Sequence, residues 1–380
     1  MRNFSYYNPT RILFGAGQIA SLGQLIPTSS RVLVTHGGGS ILQNGVWQEV
    51  EQALRGHRIS RFAGIEANPQ YATLLRAVAQ GRAEHCDFVL AVGGGSVIDG
   101  SKFIAAALAY PGEPFDLLSG TPIRRALPLG CVPTLASGAE STPHGVLHHA
   151  GLQARLPFSG TCLHPRFAIL DPRTSFSLPP RQLGHGVVAS FCHCLERYLA
   201  GSGATALQDR QAEALLLTLL EQGPRALAAP DDYEARAQLM WCASLIHGGL
   251  FACGLERDGS LRRLGDALSL LYHLDQAQSL ALLLPALLAE DGSGRRARLR
   301  QYAERVWGLR QGSPQTRIAA AIVASEAFLR RMGVATHLAD HGLDAETLPQ
   351  VLAHLQRQSA AGERRGIDLQ LCERLLLRAL

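Results

Sequence analysis

Residues 93–96, Gly-Gly-Gly-Ser, with Asp99 and Lys102 just beyond them, form the stretch of this sequence best equipped for chemistry. Without Cβ atoms a backbone can approach an anion closely, and a helix starting there adds free N–H groups and the positive end of its dipole. Asp99 and Lys102 lie three apart and so share one helix face beside the glycines. Lys102 is the only lysine in the chain, where the other long cationic side chains are all arginine. A lone ammonium points to a space that a broad, planar guanidinium does not fit. Taken singly, a glycine run is as readily a tight turn that holds nothing, and an Asp/Lys pair is usually a solvated surface pair. A second run, Gly37-Gly38-Gly39-Ser40 after Val32-Leu33-Val34-Thr35, has the same strand-then-glycine form and favours the phosphate reading.

The elements that must hold these residues follow from periodicity. Phe88–Val92 is a short apolar run suited to a strand buried on both faces, and Ser96 is placed to cap a helix over Val97–Leu108. Before it come an opening strand within residues 3–19 with a turn at Gly15–Gly17, a strand at Val32–Thr35 and a helix at Val46–Leu54. A strand at Ile59–Phe62 and a helix at Tyr71–Arg82 follow, and Leu127–Leu135 and Phe167–Leu170 are further strands. This alternation predicts a parallel, doubly wound sheet, with ligands beyond the carboxyl ends of its strands, where both glycine loops and Asn68 fall. After Pro179-Pro180 the pattern turns helical to the end, with breaks near 201–204, 229–232, 256–260, 291–294 and 311–314. The expectation is an α/β dinucleotide-binding domain over residues 1–183 and an all-α domain over 184–380, with a cleft between them.

Composition narrows the class. A chain of 380 residues, 47% hydrophobic and 18% charged, has room for two domains and a large core. The net charge of +5 is spread along the chain and gives no reason to expect nucleic acid. The densest basic run, Arg295–Arg300, reads as a solvated helix face. Eight cysteines without a C-x-x-C spacing read as reduced, mostly buried thiols. No apolar signal core opens the chain, and Leu280–Ala289 is too short for a bilayer and carries Pro285. A soluble, cytoplasmic protein with no membrane partner is the expectation.

The order of several motifs resembles a known family. Asn8-Pro9-Thr10-Arg11-Ile12-Leu13-Phe14-Gly15-Ala16-Gly17, the run 93–102, Leu170-Asp171-Pro172 and Leu178-Pro179-Pro180-Arg181-Gln182 resemble the iron-containing (group III) alcohol dehydrogenases. Within them the chain is most similar to the NADP-dependent butanol dehydrogenase and aldehyde reductase branch, and Gln301–Trp307 and Thr336–Leu343 extend the likeness over nearly the whole chain. The resemblance implies the dehydroquinate synthase-like, iron alcohol dehydrogenase architecture and a homodimer acting on a small molecule. It places a pyrophosphate on Gly94, Gly95 and Ser96, and the first loop, Gly38, Gly39 and Ser40, beside the adenosine ribose. Family members that prefer NAD carry a carboxylate at that loop. Here there is none, and Ser40 has a hydroxyl to donate, so the expected cofactor is NADP(H). Asn68, Thr134 and Ser137 fall on cofactor-contacting positions, and Asp99 and Lys102 complete the expected set. The nicotinamide-side lysine of the family becomes Arg155, in a stretch (144–156) that departs from the family pattern.

The resemblance also implies a divalent metal held by an aspartate, a histidine four residues later, and two histidines fourteen apart. An i, i+4 pair puts two ligands on one helix face, and the metal would polarise a substrate oxygen. In this chain the four positions read Ala189, His193, Arg262 and Gln276. One imidazole and one neutral amide are a poor donor set for Fe²⁺ or Zn²⁺. A guanidinium about 4 Å from a dication would cost on the order of 8 kcal/mol at an effective dielectric of about 20. No iron or zinc is therefore expected at the family site. A relocated site drawn from His185, His193, Asp266 or His273 stands as the alternative to ordinary buried or surface histidines.

Three functions follow. The first is an NADP(H)-dependent oxidoreductase acting without the metal on a C=O or C=N group, with Arg262 polarising the substrate and His193 or Asp266 relaying the proton. The second is a family relative that binds nucleotide or a protein partner and does no chemistry. The third is an ordinary metal-dependent alcohol dehydrogenase.

Overall fold

The apolar runs of the first half become eight strands: β1 (Arg11–Phe14), β2 (Arg31–Thr35), β3 (Arg58–Phe62), β4 (Phe88–Gly93), β5 (Leu129–Pro133), β6 (His144–His149), β7 (Ala154–Ser159) and β8 (Phe167–Leu170). The computed structural model describes residues 1–201, 205–255, 260–290, 295–360 and 368–380. The helices of the first half are α1 (Leu22–Leu25), α2 (Ser40–Gln43), α3 (Val46–Ala53), α4 (Tyr71–Ala83) and α5 (Gly95–Ala109). Those of the second half are α6 (Pro180–Leu199), α7 (Ala206–Ala228), α8 (Tyr233–Gly248), α9 (Ser260–Tyr272), α10 (Gln276–Ala289), α11 (Arg295–Arg305), α12 (Pro314–Arg331), α13 (Thr347–Ala360) and α14 (Leu369–Ala379).

Six strands form one parallel sheet in the order β1-β8-β5-β4-β2-β3. From β2 the chain moves outward to β3, returns inside to β4, and then winds the opposite way to β5. The switch point thus lies between β2 and β4, the two strands that lead into the glycine loops. In a doubly wound sheet that crevice is where a ligand enters. Alternate strand residues feed two cores, as period two requires. Leu33, Val89, Ala91 and Cys131 pack with α4 and α5 on one face. Val32, Val34, Leu90 and Val132 pack with α3 on the other.

The fold is the α/β plus all-helical arrangement expected, and two details differ from the local reading. Ser96 does not cap α5: the N-cap is Gly94, with no side-chain hydrogen bond, and the helix already begins at Gly95. Residues 144–159, which carried no element in the sequence reading, form the antiparallel hairpin β6–β7.

Contacts divide the chain into two compact units. One comprises Tyr7–Leu178 and Ala229–Gly248, the other Met1–Tyr6, Pro179–Ala228 and Gly249–Leu380. Beyond the first six residues, the chain passes from the sheet unit to the helical unit after Leu178, five residues before the boundary drawn from sequence, and α8 groups with the sheet. In the helical unit α10 is the central element: from Leu280 to Leu284 every side chain is buried, against α6, α9, α12 and α14. The breaks expected at 202–204, 256–259 and 291–294 lie outside the described residues. Among the described residues no helix is long and apolar enough to cross a membrane.

Candidate functional site

The nucleotide side is built where β4 runs into α5. Because Gly94 caps the helix without a side chain, no side-chain oxygen competes for the first-turn N–H groups, which remain for an anion. The first and third glycines of the run are closely packed. A Cβ on Gly93 would lie 2.7 Å from Val97 Cγ2, and one on Gly95 would lie 3.1 Å from Ser137 Cβ. Three other expected residues converge on this strand end. The Asn68 amide, in a left-handed conformation (φ 60°), donates to Ser96 Oγ at 3.2 Å. Thr134 follows β5 and donates its N–H to Gly93 O at 3.1 Å. Ser137 lies over Gly95 and accepts from Ala139 N at 3.4 Å.

The first loop borders the same helix start, since a Cβ on Gly37 would lie 3.7 Å from Val97 Cγ2. Gly38 and Ser40 are exposed, Gly39 has φ 106°, and no acidic residue stands in the first turn of α2. At the root of the loop His36 is 1% exposed; Nδ1 bonds Gly37 O at 3.0 Å, and Nε2 has no hydrogen-bond partner. Burial pushes this imidazole below its ordinary value of 6.5, the Gly37 carbonyl opposes that, and Arg61 adds to it. The ring is neutral at physiological pH.

Lys102 is held more tightly than its sequence suggests, and Asp99 beside it stays a quarter exposed. Lys102 is neither a solvated surface group nor free to reach a cofactor: its side chain is 0% exposed. Nζ donates to Ala139 O at 2.8 Å, Thr142 Oγ1 at 3.1 Å and His144 O at 2.7 Å. Those acceptors use all the protons an ammonium has. Asp99 Oδ1 lies 3.5 Å from Nζ, and Oδ2 accepts from Val146 N at 3.3 Å. Both side chains therefore tie protein to protein.

Sequence reasoning missed two features here. The hairpin had a signal, since Gly145, Leu147, Leu156 and Phe158 alternate inward on either side of Gly151. Glu140 had none. It is 1% exposed, accepts from Ser244 Oγ at 2.8 Å, and has its carboxyl pushed upward by burial. In the hairpin, Arg155 stands opposite His148, and His149 stacks on Tyr71 with ring centroids 5.1 Å apart.

The family's metal positions lie in the helical unit. Ala189 and His193 occupy successive turns of α6, Arg262 sits on α9, and Gln276 is the first residue of α10. Gln276 Nε2 lies 3.1 Å from His193 Nε2. A carboxamide nitrogen donates, so in this exposed pairing the imidazole nitrogen is the acceptor. Arg262 Nε lies 3.8 Å from Asp266 Oδ2 in a half-exposed i, i+4 pair. The structure thus pairs His193 with Gln276 and Arg262 with Asp266.

The other candidate ligands also have different work. His185 Nδ1 bonds Asp275 Oδ2 at 2.6 Å, while Asp275 caps α10 through Gln278 N. Burial raises the Asp275 carboxyl, but the His185 bond, the Gln278 amide and Arg181 outweigh it and leave the group below its ordinary range. His273 is exposed at a left-handed turn (φ 57°). Cys192 and Cys194 are fully buried, with Cys194 Sγ bonded to Ala212 O at 3.6 Å, and none of the eight cysteines is in a disulfide.

The two groups implied by the resemblance fare differently. A helix start with no side-chain cap, beside glycines that leave its backbone bare, fits a dinucleotide phosphate. Ala189, an occupied imidazole, a guanidinium and an amide do not fit a dication. Among the described residues no group of three or more His, Cys, Asp or Glu side chains stands close enough to hold a metal.

Fold and site define the class: a doubly wound α/β unit with a glycine cradle at its switch point, joined to an all-helical unit. The chain belongs to the iron-containing alcohol dehydrogenase family. The family description "Iron-containing alcohol dehydrogenase" matches residues 9–172, and "Fe-containing alcohol dehydrogenase family, C-terminal" matches residues 185–368. The NADPH-dependent aldehyde reductase YqhD of Escherichia coli is 45% identical over 99% of both chains. The NADP-dependent alcohol dehydrogenase 3 of Entamoeba histolytica is 31% identical over 99% of this chain and 98% of its own. A crystal structure of the E. coli protein aligns with a TM-score of 0.95 at 43% identity, covering 100% of this chain and 99% of that one.

Proposed function

We infer that this chain is an NADP(H)-dependent oxidoreductase acting on an aldehyde, ketone or related C=O or C=N group, and that it works without a dication at the family's ligand positions. The observation that carries the reading is the pairing of an intact glycine cradle with a ligand set that no longer suits a metal. NADP over NAD is supported by the exposed Ser40, the absence of an acid at the first loop, and the names of the two relatives above.

When bound, the dinucleotide supplies or accepts the hydride. The chain's part is to hold the pyrophosphate on the N–H groups of Gly94, Gly95 and Ser96, with Asn68, Thr134 and Ser137 around it. Arg262 is the group proposed to steady negative charge on the substrate oxygen, with Asp266 fixing its direction, and His193 to move the proton. Each would exchange its present partner for substrate, since Arg262 is paired with Asp266 and His193 with Gln276. The assembly proposed is a homodimer acting on a small molecule.

The test is metal analysis, NADPH titration and aldehyde turnover on one chelator-treated sample. Tight NADPH binding with turnover and substoichiometric metal supports the reading. One equivalent of iron or zinc, with activity lost on its removal, overturns it in favour of an ordinary metal-dependent dehydrogenase. A second reading, nucleotide binding without chemistry, is favoured by the commitment of the His193 lone pair to Gln276. NADPH binding with no turnover on a broad aldehyde panel would decide for it.

A further inference from the structure

Gly95, Asp99 and Lys102 stand at i, i+4 and i+7 on α5 and so share one face. That face makes three successive attachments. Gly95 receives Ser137, Asp99 Oδ2 accepts from Val146 N at 3.3 Å, and Lys102 Nζ takes Ala139 O, Thr142 Oγ1 and His144 O. The segment they hold, residues 137–146, runs from the serine over the cradle into the first strand of the hairpin. It has no strand ladder to the main sheet; a 3-10 turn at Ala139–Ser141 precedes the start of β6, whose ladder is to β7 alone. Side chains hold it from two sides: Ser244 on α8 bonds Glu140 and Ser141 at 2.8 Å each, and on the α5 side the bonds gather on one buried ammonium.

We propose that Lys102 is the positioning residue of the nucleotide site, fastening residues 139–144 to α5 so that Ser137 and the hairpin are set before the dinucleotide arrives. The geometry explains the residue type. The three acceptors converge on one point at 2.7–3.1 Å, which a tetrahedral ammonium meets and a planar guanidinium fork does not. In a chain that uses arginine everywhere else, this is the position where arginine fails.

The buried position also gives a direct probe, because the only amines in the chain are Lys102 and the N-terminus. In the full-length wild type, an amine-acetylating reagent should modify the N-terminal amine while Lys102 reacts more slowly by about a hundredfold or more, in proportion to the rarity of local opening. NADPH should slow Lys102 further.

Two variants carry the second half of the test. In K102M without nucleotide, amide exchange in peptides spanning 137–149 should quicken by about tenfold or more, with the helical unit unchanged. By loss of preorganisation, K102M and K102R should both weaken NADPH binding by about tenfold or more. The failure of K102R to rescue separates positioning from a mere need for positive charge.

The proposal rests on the NADP(H) reading only for its ligand. If the wild type binds no NADPH, that reading fails, while the acetylation and exchange measurements still judge the clamp. Lys102 acetylated as fast as the N-terminus would overturn it. So would wild-type exchange in K102M, or wild-type NADPH affinity in K102R. If K102M does not fold, the wild-type acetylation result decides.

Discussion

At the scale of single residues, the nucleotide side depends on atoms that are missing. A Cβ on Gly95 would press on Ser137, whose Cβ lies 3.1 Å from where it would sit, so Ser137 must give by a few tenths of an ångström. Gly95→Ala should therefore weaken NADPH binding by about tenfold or more while leaving the melting temperature nearly unchanged, since alanine suits the first turn of a helix. Fluorescence titration beside a thermal melt checks both halves. His36 makes a different kind of prediction. Its folded value lies below the ordinary 6.5, so the unfolded chain takes up the proton more readily. Its contribution is complete above 6.5 and is lost as pH falls from there through the folded value. His36→Gln should flatten the fall of melting temperature between neutral pH and the acid side of 6.5, relative to wild type.

At the scale of elements, the proposed loss of the metal is a matter of side chains on three helices, α6, α9 and α10. Ala189 and His193 still share one face of α6 at i, i+4, and Gln276 on α10 already reaches His193 at 3.1 Å. The triple variant A189D/R262H/Q276H restores the family's donor set. It should bind one equivalent of Zn²⁺ measurably by calorimetry where the wild type binds none, because a carboxylate and three imidazoles match the ion's preferences. Failure of the triple variant to take up metal would mean that the helix positions themselves have drifted. The start of α10 is held firmly in either case. Asp275 closes a capping box with Gln278 and also takes the His185 imidazole at 2.6 Å. A cap of this kind stabilises a helix by about 0.5–2 kcal/mol.

At the scale of the molecule, each unit carries its own core, and the helical one also contains a buried ion pair. Arg298 and Asp209 are each 6% exposed, joined by bonds of 2.6 Å from both terminal nitrogens, with the guanidinium 4.7 Å from the Tyr198 ring centroid. Removing one partner leaves the other charge buried and unpaired. Arg298→Met should cost about 3–5 kcal/mol in urea unfolding, and R298M/D209L should recover most of that loss. The first six residues also belong to the helical unit, where Arg2 N bonds Gly254 O at 3.0 Å.

The sequence by itself determined the local and the repetitive. Apolar runs of strand length ending in glycine, and a switch after Pro179-Pro180 to helical period, follow from hydrogen bonding and burial within a few residues. They were enough for the sheet and for the helical second half. The inward alternation of the β6–β7 hairpin was also present, but three histidines and two glycines obscured it. Only the tertiary structure decided what distant side chains do for one another. Lys102 and Asp99, which read as groups beside a phosphate, also tie α5 to residues about forty positions on. His193 and Gln276 meet across 83 positions. A sequence states which donors and acceptors exist; which of them meet depends on how helices and loops from separate parts of the chain pack, and no local period encodes that.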